Sequence, residues 1–348
     1  MSSSSRWIPA LAIGLCAGAL GTGAAPAAPG ATVPAASAAS AVGAGVRGPA
    51  AVTAGSTALR SLRAEETYWT ADRMARAVPA DAAAPPPLRA GARHGPPAGT
   101  PAPEHFNGHP MVGTFFFDGR PLGGGSTYCT GSVVHTAAHD IVLTAGHCGR
   151  GLERATHRVF VPQYRYGRSA AAQPFGVFPV TTTYIDPRYT TNTRAATSDL
   201  DLAFARVGAN GRGRVEDLTG ALAFTPSTGY IRKVTVIGYP SSASVNPRHR
   251  AIRCPVTTTR LSGYRQMRML CTGFYGGVSG GPWIEGYDRA TGRGRLIGNT
   301  GGYLAGGDVD WVTYAPLYGK DAQALFADAA AHRPVGTRPP YHPAATTR

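Results

Sequence analysis

Short apolar runs separated by Gly, Pro, Asn and Asp fill the chain from Phe106 onward, and this texture is the strongest constraint on its fold. The 348 residues include 46 Gly and 29 Pro, which leaves little room for long helices. The pattern is typical of many short strands joined by tight turns and argues against a helical bundle or coiled coil. We therefore expect a β-sandwich or β-barrel architecture.

The candidate strands are Met111–Phe117, Ser132–His135, Ile141–Thr144, Arg158–Val161, Val177–Val180, Leu202–Val207, Val234–Gly238, Met267–Leu270, Leu296–Asn299 and Trp311–Tyr314. One helix stands out over Asp321–Ala331, where Ala322, Leu325 and Ala329 lie near one face. The remaining residues, 332–348, are rich in Pro and are expected to be a disordered tail.

The N-terminus has the pattern of a secretory signal. Arg6 precedes the apolar run Trp7–Leu20, and Ala25-Pro26-Ala27 supplies a cleavage pattern of small residues. An uncleaved membrane anchor is the alternative, but four glycines dilute the apolar stretch. We therefore expect residues 1–27 to be removed and the protein to be secreted, with no membrane association after cleavage.

Residues 28–105 are rich in Ala, Pro and Gly and show no convincing core. One island, Glu65–Ala77, departs from this composition, and Thr70 is placed to cap a short helix that carries Met74. The island is either a chance helical piece of a linker or part of a propeptide that docks on the mature domain. We predict a propeptide or linker over 28–105 and one folded domain over 106–331.

The chain is strongly basic, with 34 Lys and Arg against 19 Asp and Glu and a net charge of +15. Residues 106–348 hold 26 of the basic and 14 of the acidic side chains, a net charge of +12, so the basic character belongs mainly to the folded domain. No basic run is interleaved with aromatic residues, and the nearest cluster is Arg248-His249-Arg250. The sequence therefore disfavours nucleic acid as a partner.

Four cysteines remain after removal of the signal: Cys129, Cys148, Cys254 and Cys271. An even number suits disulfides in an oxidising compartment, and three pairings are open. Joining near neighbours, Cys129–Cys148 and Cys254–Cys271, closes two loops of similar size, each stabilising by about 3 kcal/mol in the chain-entropy model. A zinc site is disfavoured because no CxxC occurs and adjacent residues such as His147 and Cys148 seldom bind one ion.

Three segments carry side chains suited to covalent catalysis. The first is Leu143–Cys148, LTAGHC, which follows the apolar run Ile141–Leu143. A His at a strand end, next to a cysteine of an expected disulfide, has a fixed position and an accessible ring edge, which suits a general base. Taken alone, a histidine such as His147 is more often structural or simply exposed.

The second segment is Ser198–Ala205, SDLDLAFA. Asp199 and Asp201 alternate with apolar residues at the start of a strand, so both are expected on the same face. A buried carboxylate that faces an imidazole fixes its tautomer and stabilises the imidazolium. The alternative is a pair of solvated acids at the entrance of a strand.

The third segment is Tyr275–Trp283, YGGVSGGPW. Glycines on both sides of Ser279 let the backbone turn sharply and aim N–H groups at one point. The N–H groups of Gly277 and Ser279 are the natural donors to an oxyanion beside the serine oxygen. A chance Gly-rich loop that contains a serine is the alternative.

Together, in the order His, Asp, Ser, the three segments resemble the signature blocks of the trypsin/chymotrypsin-fold serine proteases. The matching residues are Thr144–Cys148, Asp201–Phe204 and Gly277–Pro282. The wider pattern resembles secreted bacterial members, including the glutamyl-endopeptidase-like branch. The resemblance spans roughly Phe106 to Ala331, and only the three blocks are sharply diagnostic.

The resemblance implies an all-β fold of two packed six-stranded antiparallel β-barrels with a C-terminal helix and a catalytic site between the barrels. It implies that Ser279 is the nucleophile, that His147 is the general base and then acid, and that Asp201 rather than Asp199 orients His147. It also implies an oxyanion hole formed by the N–H groups of Gly277 and Ser279.

Two further groups of residues acquire roles from the resemblance. Cys129 matches the family cysteine that bridges to the one after the catalytic histidine, here Cys148. Thr300, Gly301 and Gly302 match the segment that leads into the substrate-binding edge.

The sequence departs from the family pattern at Val278, where trypsin-like enzymes place an Asp that receives the new N-terminal ammonium on activation. Val278 cannot form that ion pair, so the propeptide must cover the cleft, assist folding or act as a tether. Cys271–Gly281 contains no acid to match the trypsin preference for Arg and Lys, and Asp308 and Asp310 are expected to close a turn. Thr300 stands near the position where glutamyl endopeptidases carry a histidine.

The sequence thus predicts a secreted serine endopeptidase that acts on proteins or peptides through an acyl-enzyme, with no cofactor and no metal, as a monomer. A catalytically silent protease-fold binding protein at the cell surface is the alternative. The presence of His147, Asp201 and Ser279 together argues against that alternative.

Overall fold

Sixteen strands and five α-helices occur in the residues that the computed structural model describes, 49–81, 95–118, 125–241 and 246–343. The strands are β1 (Val78–Pro79), β2 (Glu104–Phe106), β3 (Val112–Asp118), β4 (Ser126–Val134), β5 (Ile141–Thr144), β6 (His157–Pro162), β7 (Phe178–Ile185), β8 (Ala203–Val207), β9 (Ala223–Phe224), β10 (Lys233–Gly238), β11 (Ala251–Thr257), β12 (Thr259–Arg260), β13 (Gln266–Leu270), β14 (Pro282–Glu285), β15 (Arg295–Asn299) and β16 (Val312–Pro316). The α-helices are α1 (Pro49–Tyr68), α2 (Ala71–Arg76), α3 (Gly146–Arg154), α4 (Val215–Thr219) and α5 (Lys320–Ala330).

The first half forms a closed antiparallel barrel of six strands in the order β4-β3-β6-β7-β8-β5, with β5 pairing back to β4. Strand β3 is buried along nearly its whole length because both of its faces are covered. The Phe115 ring lies 4.9 Å from that of Phe160, and the Phe116 ring lies 5.8 Å from that of Trp69. This barrel confirms the expectation of an all-β fold built from short strands.

The second half is more open than the sequence predicts. It consists of a six-stranded sheet in the order β2-β11-β10-β14-β15-β9 and a separate three-stranded sheet in the order β12-β13-β16. Their shared core includes Val236, Met267 and Trp283, all fully buried. The expected second closed barrel is therefore, in the described residues, a further sheet with a small companion.

The N-terminal segment differs from a structureless linker. Thr70 caps α2 by accepting a hydrogen bond from the N–H of Arg73 at 3.1 Å, as the sequence predicts. Trp69 and Met74 are completely buried, so residues 59–81 do contribute to a core. Strand β2 begins at Glu104 and pairs with β11, so the folded part starts slightly ahead of Phe106. The predicted signal, 1–27, lies outside the described residues, as do 28–48 and 82–94.

The C-terminal helix occurs within one residue of its predicted bounds, and Ala322, Leu325 and Ala329 form its buried face. The chain beyond it, expected to be disordered, is described as far as residue 343 and packs on the first half as far as Tyr341. The Tyr341 hydroxyl donates a hydrogen bond to Asp199 at 2.7 Å, and its ring packs on the cluster of Ile185, Tyr189, Leu200 and Ala203 beside β7 and β8. Residues 344–348 lie outside the described residues.

Two disulfides join near neighbours, Cys129 with Cys148 and Cys254 with Cys271. The first ties β4 to the start of α3, and the second ties β11 to the residue after β13. Each therefore braces a segment that leads to the cleft. Among the described helices, none is long and apolar enough to cross a membrane.

Candidate active site

His147 and Asp201 form a buried pair at one end of the barrel, with His147 just after β5 and Asp201 just before β8. His147 follows β5 in the first turn of α3, and its Nδ1 lies 3.0 Å from Oδ2 and 3.2 Å from Oδ1 of Asp201. The carboxylate of Asp201 is fully buried and also accepts the backbone N–H groups of His147 at 2.8 Å and Gly302 at 2.6 Å. Nδ1 of His147 is thus the protonated nitrogen, which leaves Nε2 free to accept a proton.

Asp199 points away from this pair, contrary to the expected alternation along a strand. Residues Ala196–Leu200 form a 3₁₀ helix, and the strand starts only at β8. The carboxylate of Asp199 accepts the backbone N–H of Arg265 at 3.0 Å and the side-chain amide of Gln266 at 2.9 Å. The two acids therefore serve different sites, because a helical turn separates their side chains where a strand would align them.

Ser279 lies in a tight turn that only glycine neighbours permit. Gly277 has φ of +97° and Gly280 has φ of +83°, conformations that other residues rarely adopt. A Cβ on Gly280 would approach Oγ1 of Thr144 to 2.2 Å, so the turn also lacks space for a side chain. Gly280 is therefore needed for two reasons. It allows the sharp turn that the sequence predicts, and it leaves room for the close packing of this turn on the end of β5.

Thr130 of β4 fixes this turn with two hydrogen bonds. Its backbone N–H donates to the carbonyl of Ser279 at 2.9 Å, and its hydroxyl donates to the carbonyl of Gly277 at 2.8 Å. Its hydroxyl also accepts the N–H of Tyr239 at 3.0 Å. The barrel that carries His147 thus also holds the backbone of Ser279, a role that sequence reasoning missed.

A carboxylate from the N-terminal segment occupies the site beside Ser279. The Ser279 hydroxyl donates to Oδ2 of Asp81 at 2.8 Å, and the Gly277 N–H donates to Oδ1 of Asp81 at 3.2 Å. Nε2 of His147 is buried and has no hydrogen-bond partner among the described residues. The proton of Ser279 is therefore directed to Asp81 in this structure and not to His147.

The electrostatics favour the charged forms of both members of the pair. Burial disfavours the imidazolium, but the negative charges of Asp201 and Asp81 outweigh it and raise the pKa of His147 above its ordinary value. Burial likewise opposes the Asp201 carboxylate, but the charge of His147 and its hydrogen bonds lower the pKa of Asp201. Asp201 therefore stays ionised and stabilises positive charge on the imidazole.

The predicted substrate-binding residues lie next to this pair but are occupied by structural contacts. Thr300 is buried, and its hydroxyl accepts the indole N–H of Trp283 at 3.1 Å. The chain then turns through Tyr303–Gly306, where Leu304 and Ala305 both have positive φ. The carbonyl of Ala305 lies 3.4 Å from Oγ of Ser279, so the chain after the predicted substrate-binding residues folds toward Ser279.

Val278 has the structural role that its sequence position suggests, whereas Asp310 does not. Val278 is buried against Gly238, where a Cβ would lie 2.8 Å from the valine side chain. It thus fills an apolar space and offers no charge to an ammonium group. Asp310 accepts the N–H of Gly273 at 3.1 Å, so its carboxylate joins two distant segments and does not close a turn of its own as expected.

Within the part of the chain that the structure describes, two groups of three side chains have possible metal-ligand atoms within 4.8 Å of one another. One contains His147 with Cys129 and Cys148, whose sulfurs are already joined in a disulfide. The other contains His135, His139 and Glu216. In that group His135 is hydrogen-bonded to Glu216 and His139 to Asp217. Ordinary hydrogen bonds thus account for its proximity without an ion.

Residues 100–303, more than half of the chain, match the family model described as Trypsin. The chain belongs to the trypsin family. The comparison with curated proteins found no match.

Solved protease structures share the fold of this trypsin-family chain. The protease Anisep from Arthrobacter nicotinovorans aligns with a TM-score of 0.55 and 26% identity, over 66% of this chain and 100% of that one. The thermostable serine protease AL20 from an extremophilic microorganism aligns with a TM-score of 0.52 and 26% identity, over 64% of this chain and 97% of that one. A Glu endopeptidase aligns at 14% identity and a TM-score of 0.49, over 67% of this chain and 98% of that one. The fold is therefore chymotrypsin-like, and the neighbours include bacterial serine proteases.

Proposed function

We propose that the protein is a secreted serine endopeptidase in which Ser279 is the nucleophile, His147 the general base and Asp201 the residue that orients His147. The observation that carries this proposal is the buried pair of His147 and Asp201, since the carboxylate accepts Nδ1–H and leaves Nε2 as an unpartnered buried acceptor. The trypsin family membership supports the same class of reaction.

The mechanism requires that Asp81 has left the site. Nε2 of His147 then removes the Ser279 proton while Oγ attacks the carbonyl carbon of a peptide bond. The N–H groups of Gly277 and Ser279 stabilise the resulting oxyanion, and the Asp201 carboxylate stabilises the imidazolium. His147 next protonates the departing amine, and water hydrolyses the acyl-enzyme by the reverse sequence of proton transfers.

The remaining parts of the proposal come from the sequence. Residues 1–27 act as a signal, 28–105 as a propeptide, and the substrates are proteins or peptides. Membership of the glutamyl-endopeptidase-like branch is a prediction that a peptide cleavage library tests. A member of that branch should cleave after Glu, and its substrate pocket would need a group that binds the Glu carboxylate. Two buried disulfides and the absence of a spanning helix among the described residues are compatible with secretion.

The test is covalent labelling of Ser279 by a fluorophosphonate probe. The full chain is expressed, cleaved between Asp81 and Glu104 by limited proteolysis and then separated from its N-terminal segment, so that Asp81 has left the site; this product is called the cleaved protein. Ser279→Ala and His147→Ala serve as controls, since the first lacks the target oxygen and the second lacks the base. We expect rapid labelling of the cleaved wild type, slow labelling of His147→Ala and none of Ser279→Ala.

The silent binding protein is separated from the enzyme by the same assay. A cleaved, folded wild type that gives no adduct on Ser279 would refute the enzyme proposal in favour of that alternative. An adduct at Ser279 together with casein hydrolysis would support the endopeptidase.

A further inference from the structure

The N-terminal segment of residues 59–81 binds the barrel through a continuous set of buried contacts. The Tyr68 ring stacks on His157 at 3.6 Å, and its hydroxyl is hydrogen-bonded to Asp118. Trp69 is fully buried, and its indole N–H donates to Glu65 at 3.0 Å. Buried aromatic anchors of this kind dominate the free energy of protein interfaces. The segment is therefore attached firmly and specifically to the barrel.

The end of this segment enters the cleft as an added strand. Val78 and Pro79 of β1 pair in parallel with Thr127 and Tyr128, at the end of β4 that does not pair with β5, and the Ala80 N–H donates to the carbonyl of Tyr128 at 3.0 Å. Addition of a strand to a sheet edge fixes the register of the added segment through backbone hydrogen bonds. The next residue, Asp81, is thereby delivered to Ser279.

The contacts of Asp81 replace those that catalysis needs. Its Oδ2 accepts a hydrogen bond from the Ser279 hydroxyl at 2.8 Å, and its Oδ1 accepts one from the Gly277 N–H at 3.2 Å. A side-chain carboxylate thus binds the N–H group that an oxyanion would need, and Nε2 of His147 has no hydrogen-bond partner in the described part of the chain. Because the group at Ser279 is a side chain and not a peptide carbonyl, the hydroxyl has no peptide bond to attack there.

We propose that residues 59–81 are a built-in inhibitor, that the face of β3, β4 and β6 is its binding surface, and that Asp81 is its blocking group. This inference rests on the proposed function and specifies how the site is regulated. Cleavage between Asp81 and Glu104 converts the inhibitor into a separate peptide, because β2 belongs to the second half through its pairing with β11. Release of that peptide, not an ion pair at Val278, then opens the site.

The experiment compares fluorophosphonate labelling of uncleaved full-length chains. The variants are Asp81→Ala and, as a matched control, Asp72→Ala, whose exposed carboxylate lies on α2 and is hydrogen-bonded to Arg76 on the same helix. Loss of the hydrogen bonds to Asp81 should accelerate labelling of Ser279 by at least ~10-fold, because bonds to a charged acceptor are the strong ones. Asp72→Ala should label as slowly as the wild type.

A second measurement does not depend on the folding of a variant. A synthetic peptide of residues 59–81 is added to the cleaved wild type from which the segment has been removed, and inhibition of labelling is titrated. The same peptide with Asp81→Ala should need a roughly 10-fold higher concentration to give equal inhibition.

The two proposals fail in distinguishable ways. If the cleaved wild type labels rapidly but uncleaved Asp81→Ala labels as slowly as the uncleaved wild type, the inhibitor proposal is overturned and the enzyme proposal stands. Equal inhibition by both peptides would likewise exclude Asp81 as the blocking group. If the cleaved wild type is not labelled at all, both proposals fail.

Discussion

Replacing Asp201 by asparagine should lower both activity and stability, whereas the same change at Asp199, two residues away, should lower stability alone. Asp201 accepts three N–H groups, from Nδ1 and the backbone of His147 and from Gly302. In Asp201→Asn one carboxylate oxygen becomes NH₂, which faces one of these donors, so a backbone N–H loses its partner at about 1–3 kcal/mol. The charge that stabilises the imidazolium is lost as well. We expect kcat of the cleaved enzyme to fall by roughly 10³–10⁴-fold, which corresponds to about 4–5.5 kcal/mol at the barrier.

Asp199→Asn places the same chemical change at the other site. Its carboxylate accepts hydrogen bonds from Arg265, Gln266 and Tyr341, and these three bonds do not involve His147. We expect a loss of about 1–3 kcal/mol in the free energy of unfolding and a change in kcat below about 3-fold. The measurements are kcat on one peptide substrate and urea unfolding for both variants. A loss of kcat in Asp199→Asn that equals or exceeds that in Asp201→Asn would refute the assignment of the orienting acid.

Three more predictions concern other parts of the molecule. Thr130→Val, which keeps the shape but removes the hydroxyl bonds to Gly277 and Tyr239, should lower kcat about 10-fold and destabilise by about 1–3 kcal/mol; unchanged kcat would show that these bonds do not position the turn. Trp69→Ala should destabilise the full chain by about 3–5 kcal/mol in urea unfolding, whereas Ile231→Ala, at an exposed side chain, should change little; equal effects would contradict the docking of the segment. The activity of the cleaved enzyme requires neutral His147, so kcat/KM should rise with pH through the pKa of His147, which burial lowers and the charge and hydrogen bond of Asp201 raise. In Asp201→Asn burial alone remains to act and the midpoint should move to lower pH; an unchanged pH profile would contradict this cause.

Most of the strands could be predicted from the sequence, because short apolar runs and sharp Gly turns are local signals. The choice of Asp201 over Asp199 as the partner of His147 comes only from the resemblance to the trypsin/chymotrypsin-fold proteases. Strand β5 has the predicted bounds, Ile141–Thr144. Strand β11 was missed, since Arg253 and Pro255 interrupt its apolar pattern. The reason that a charge is tolerated there is a partner far along the chain, Glu104, at 2.6 Å from Arg253. The sequence around Arg253 does not indicate a partner so far along the chain.

The roles of Asp199 and Asp81 were not predictable for a related reason. Alternation places two acids on one face only if the backbone is extended, and a 3₁₀ turn at Ala196–Leu200 removes that condition. Asp81 is an isolated acid in a segment rich in Ala and Pro, and its contact with Ser279 joins residues 198 positions apart. A contact of this length depends on the docking of Trp69 and β1, which the composition of the segment conceals.

The hydrogen bonds of Thr130 have a mechanical consequence for the working enzyme. A cleft between two halves is exposed to their relative thermal motion, and a serine carried by one half would drift from a histidine carried by the other. Here the serine turn is fastened to β4, while His147 follows β5, the neighbouring strand of the same barrel. In the proposed enzyme the separation between Oγ of Ser279 and Nε2 of His147 is thus set by neighbouring strands of one barrel, and motion of the second half should alter substrate access far more than the alignment of these two groups.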